Sequence, residues 1–119
     1  MSIIIKILAT LVALEFLCIM YLETFATASK KTSKVFGMSQ EEVQRKSVNT
    51  LFKNQGLYNG LIAVLILLAT WVFVRKIAIM VLMGYIILVA LYGGVTSHPK
   101  IIIMQGGLAI LTLLLSFIL

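Results

Sequence analysis

Two carboxylates, Glu15 and Glu23, stand inside an otherwise apolar run from Ser2 to Ala28. A carboxylate taken out of water must be neutral, paired or hydrogen-bonded by other protein groups, so the rest of the chain has to supply partners. The candidates are polar residues in or beside the later apolar stretches: Gln55 and Asn59 with their neighbours Asn54 and Tyr58, then Tyr92 and Gln105. Such a set suits a counter-ion or proton-exchanging role for the glutamates, with the amides and the Tyr92 phenol orienting a ligand. Nucleophilic and metal chemistry find less support. Cys18 is single and mid-run, which reads as a small packing residue. His98 lies in the turn 96–100 without metal-ligand spacing around it; it is kept as a secondary ligand candidate, and neither a metal nor a cofactor is expected.

The elements that must hold these residues are membrane helices. The chain of 119 residues is 61% hydrophobic, with a mean hydropathy of +1.12, against roughly half apolar for an ordinary soluble domain. A spanning helix needs about 20 mainly apolar residues, and four such runs fit: about 3–28, 54–74, 77–95 and 100–119. The expected fold is therefore all-α: a polytopic, antiparallel bundle of four transmembrane helices forming one integral membrane domain over 1–119. The first run is long for a signal peptide, and Ala26-Thr27-Ala28 is its nearest approach to a cleavage site, so the run is expected to be retained. Between the first two runs, Ser39-Gln40-Glu41-Glu42 has the spacing of a capping box. Val43, Val48, Leu51 and Phe52 then recur at helical spacing, which predicts an amphipathic lead-in over 40–53 to the second span.

The formal net charge of +6 needs no nucleic-acid partner, because the cations sit in the connections beside apolar runs. Lys30, Lys31, Lys34, Arg45, Lys46, Lys53 and Lys100 fall on one side of a four-span protein, against Lys6, Arg75 and Lys76 on the other. The excess places the long first loop in the cytoplasm and both termini outside a cell membrane.

Sequence position converts to depth. Glu23 falls about two turns from the cytoplasmic end of the first helix; Asn54, Gln55 and Asn59 begin the second; Tyr92 and Gln105 lie near the same ends of the third and fourth. Glu15 is about 12 Å deeper than Glu23. At 100° per residue, Gln55 and Asn59 are about 40° apart and Glu15 and Glu23 about 80° apart, so each pair can face one interior. Gly56 and Gly60 form a small-xxx-small patch that permits close helix approach.

The ordered segments Ala13-Leu14-Glu15, Tyr21-Leu22-Glu23, Lys34-Val35-Phe36-Gly37, Asn54-Gln55-Gly56-Leu57-Tyr58-Asn59, Tyr92-Gly93 and Gln105-Gly106 cover almost the whole chain. Together they resemble the bacterial and fungal family of small four-helix membrane proteins called domain of unknown function 1304. The resemblance implies an integral membrane protein and carries no activity with it. Phe16 stands where many relatives are expected to have His after the glutamate that Glu15 matches, so no Glu–His site is carried over.

These features point to a module that binds or transports a small lipophilic or cationic molecule through a polar pocket on the cytoplasmic side, with membrane lipids as surroundings. Four helices are few for a monomeric transporter, so a homo-oligomer is expected with it. One alternative is a membrane-embedded enzyme acting on a lipid or isoprenoid, with Glu23 or Glu15 as acid or base near Tyr92. The other is a non-catalytic assembly factor, in which the polar residues form a plug that sets helix register.

Overall fold

Helices carry nearly all of the chain in the computed structural model, which describes residues 1–97 and 99–119. They are α1 (Ile3–Thr24), α2 (Lys30–Val35), α3 (Gln40–Gln44), α4 (Lys46–Leu67), α5 (Lys76–Thr96) and α6 (Lys100–Ile118). The turn Leu68–Val72, which continues α4, is π-helical. His98, the secondary candidate, lies outside the described residues. Four helices are long and apolar enough to cross a membrane: Ile3–Thr24, Lys46–Val72, Lys76–Thr96 and Lys100–Ile118. The 22 residues of α1 reach about 33 Å, against a hydrocarbon thickness of about 30 Å. The protein is thus all-α, and its helices suit a transmembrane bundle.

The chain divides into two compact units, Phe16–Ala63 and Met1–Glu15 with Val64–Leu119. In the first, α1 closes at Thr24, short of the end of the apolar run, and buried hydroxyls take up the backbone groups left open there. Thr27 Oγ1 donates to the carbonyl of Glu23 at 2.6 Å, and Thr32 Oγ1 shares its one hydrogen between the carbonyls of Ala26 at 2.6 Å and Leu22 at 3.2 Å. Helix ends leave carbonyls without intrahelical partners, and within a bilayer these must be met by the protein itself. Ser29 caps α2 by accepting from Thr32 N. The capping box at α3 forms as its spacing predicts: Ser39 Oγ accepts from Glu42 N at 3.1 Å, and Ser39 N donates to Glu42 Oε1 at 3.4 Å. Gln40 Nε2 donates to the carbonyl of Ala28, and the rings of Phe36 and Phe52 meet at a tilt of 44° with their centroids 5.1 Å apart. Extended backbone at Arg45 ends α3, so residues 46–53 join the second long helix without a break at 54.

In the second unit, α5 buries Ile79, Met83, Ile86, Ala90 and Gly94, a spacing of three and four that makes one helix face. The matching face of α6 is built from small residues, Gly106, Ala109, Thr112 and Ser116. A Cβ on Gly94 would lie 2.3 Å from Ile102 Cγ1, and one on Gly106 would lie 3.2 Å from Ala90 Cβ. Without a hydrophobic drive between helices in lipid, close backbone approach is what gains contact here. Near the start of α1, Trp71 Nε1 donates to Thr10 Oγ1 at 3.0 Å, and that hydroxyl donates to the carbonyl of Lys6 at 2.7 Å. Lys6 Nζ lies 5.2 Å from the Trp71 ring centre, so this lysine lies over an aromatic face. After the π-turn, Val74 takes φ +51°, a left-handed conformation that costs a β-branched residue about 1–3 kcal/mol.

Candidate functional site

Glu23 sits in the last turn of α1, where ordinary amphipathic logic would place nothing charged. Its side chain is 0% exposed. Asn59 Nδ2, on α4, donates to Glu23 Oε1 at 2.5 Å. The glycines around Asn59 explain why the two meet: a Cβ on Gly56 would stand 2.0 Å from Thr24 Oγ1 and 3.2 Å from Glu23 Cβ, and one on Gly60 would stand 2.7 Å from Met20 Sδ. Only bare backbone at 56 and 60 lets α4 lie this close to α1, and Asn59, one residue before Gly60, then reaches the carboxyl group.

The pair is incomplete. Glu23 Oε2 and the neighbouring Thr24 Oγ1 are buried with no hydrogen-bond partner among the described residues. A buried acceptor left unmet costs about 1–3 kcal/mol, more when charged. Asn59 is a neutral donor, so it orients the carboxyl group without balancing a charge. What this arrangement offers chemically is one free acceptor oxygen on Glu23 and one free hydroxyl on the next residue. The carboxyl group can take a proton or, when ionised, face a cationic ligand. Among the described residues no group of three or more His, Cys, Asp or Glu side chains gathers to hold a metal.

The other predicted residues of this unit turn outward: Asn54, Gln55 and Tyr58 are exposed. In the second unit, Glu15 is half-buried on α1, and its Oε1 is buried without a partner among the described residues. Tyr92 is 72% exposed on α5, and Gln105 is half-buried on α6 beside Gly106. Thr24 was not anticipated as part of a site. Its only sequence signal is its place beside Glu23, which reads equally well as the polar end of a helix.

A family model described as "Protein of unknown function (DUF1304)" matches residues 10–117. The chain belongs to this family. Among its relatives is "Uncharacterized protein YpaA" of Lactococcus lactis subsp. lactis (strain IL1403), 59% identical over 118 residues, which are 98% of this chain and 99% of that protein. No solved structure matches. The DUF1304 match takes in Glu15, Glu23, Thr24 and Asn59, so the buried pair lies within the family's own extent. The resemblance drawn from the residue blocks is thereby established as family membership.

Proposed function

We propose that this DUF1304 protein binds a small lipophilic cation within the membrane, with Glu23 as its counter-ion and Asn59 holding the carboxyl group in place. The observation that carries this reading is the second oxygen of Glu23, fully buried and without a partner among the described residues. Burying a carboxylate with one oxygen unmet is expensive, and ionisable groups inside membrane proteins serve binding or relay roles more often than packing. A ligand reaches the oxygen when α1 and α4 part at the Gly56–Gly60 face. Glu15, about 12 Å along α1, would be the next acceptor on a route across the bilayer. The arrangement we favour is a single membrane domain of four antiparallel spans, with the loop between α1 and α4 cytoplasmic, residues 40–53 as an interfacial lead-in and both termini outside. The excess of Lys and Arg in that loop supports this orientation.

The test is binding of tetraphenylphosphonium to the purified chain in nanodiscs. The expected result is at least tenfold weaker binding for Glu23→Gln with the helical spectrum unchanged. Equal binding by both proteins would overturn the reading.

A second reading rests on the tight seat at Gly56: the Glu23–Asn59 bond sets the register of two helices and binds nothing. Under it, Glu23→Gln changes unfolding in detergent mixtures while tetraphenylphosphonium binds neither protein.

A further inference from the structure

The junction between α4 and α5 holds a feature that the Glu23 reading does not use. The helix ends there in a π-helical turn, with Phe73 N donating to the carbonyl of Leu68 at 2.8 Å and Arg75 N to that of Ala69 at 3.0 Å. Val74 reverses the chain in a left-handed conformation, and α5 starts at once. Between the two helix ends lies an open groove of about 460 Å³, with Leu65, Leu68 and Phe73 on one side and Ala78 and Val81 on the other. Arg75 is the one charged residue among those that line it. π-turns and strained φ values gather at functional sites, and here both shape the same recess.

We propose that this groove binds an anionic glycerophospholipid, with one acyl chain along Leu68 and Ala78 and the phosphate at Arg75. The walls are hydrocarbon, which suits an acyl chain and gives a soluble anion nothing to hold. Arginine matches phosphate oxygens with paired N–H donors, and Lys76 adds a second positive charge next to it. The first turn of α5 has no acidic residue, and Glu15, the unit's single acidic side chain, does not line the groove. A zwitterionic headgroup would therefore find no carboxylate for its ammonium and would meet two cations instead. The preference is for net negative charge, because Arg75 and Lys76 attract a headgroup phosphate whose charge no ammonium offsets.

The chain carries its own reporter. Trp71 is the single tryptophan, lies on the π-turn and is 51% exposed. In phosphatidylcholine vesicles, its quenching by brominated phosphatidylglycerol is compared with quenching by brominated phosphatidylcholine at equal mole fraction. The expected preference for the anionic lipid is about fivefold. It falls to about one in Arg75→Gln and in Ala78→Phe, which fills the groove, but persists in Lys6→Gln, where the cation over Trp71 is removed. Absence of preference in the unaltered chain would overturn the proposal, as would its survival in Arg75→Gln or its loss in Lys6→Gln. Should Arg75→Gln not yield a helical, monodisperse protein, Ala78→Phe and Lys6→Gln decide the matter between them.

Discussion

The contact between α1 and α4 in the unit Phe16–Ala63 and the contact between α5 and α6 in the other unit solve the same problem with different polar groups. Both rest on glycine: Gly56 and Gly60 in the first, Gly94 and Gly106 in the second, each admitting a neighbour that a Cβ would obstruct. They differ in what is buried beside the glycine. Around α6 the buried polar groups are hydroxyls, and these satisfy themselves: Thr112 Oγ1 donates to the carbonyl of Leu108 and Ser116 Oγ to that of Thr112, both at 2.7 Å. A helical hydroxyl can turn to the carbonyl four residues back, as these two do, and so be buried without a partner helix. A carboxylate has no such recourse, being an acceptor only when ionised. Glu23 must therefore draw on a second helix, and Asn59 meets only half of the need. One contact is closed within itself, and the other retains an unfilled valence.

The largest effect that would sharpen this contrast is expected at the half-filled pair. Asn59→Leu should lower the unfolding free energy by about 2–3 kcal/mol, because it leaves Glu23 buried with no donor at all. Adding Glu23→Leu should recover most of that loss, since an apolar pair of similar shape needs no donor. Titration with sodium dodecyl sulfate in mixed micelles, followed by helical circular dichroism, reads both; a double variant as unstable as Asn59→Leu would show that the pair does not act as a unit.

Next come the glycine seats. Gly94→Ala and Gly56→Ala should each cost about 1–3 kcal/mol by overpacking, the first by displacing Ile102 and the second by displacing Thr24. If Gly56→Ala proves neutral in the same titration, the close approach that delivers Asn59 to Glu23 is not needed for stability. The smallest effect is expected at Thr112→Val, within about 0.6 kcal/mol of the parent, because its hydroxyl bonds its own helix. A loss well above that would mean the α5–α6 contact depends on polar bonding after all.

Much of this was legible in the residues. Length and hydropathy were enough for four long apolar helices, and Ser39 with Glu42 announced the start of α3, because both signals are local and depend on spacing alone. That Glu23 would need a donor was equally local, following from the cost of burying a carboxylate. Which donor it would find was not. Gln55 and Asn59 lie about 40° apart on a helical wheel, so periodicity favours neither; rotation of α4 about its axis decides, and that is set by Gly56 and Gly60 seating against Thr24 and Met20. Gln55 then turns outward while Asn59 bonds to the carboxyl group. The break at Arg45, the π-helical turn and the left-handed Val74 carry no residue-type signature either, as neither glycine nor proline marks them. Residue types alone assign this protein to lipid and set the cost of each buried polar group, because transfer free energies attach to side chains. Which of those costs are met follows from the packing, because hydrogen bonds between helices depend on distances and rotations that no single helix contains.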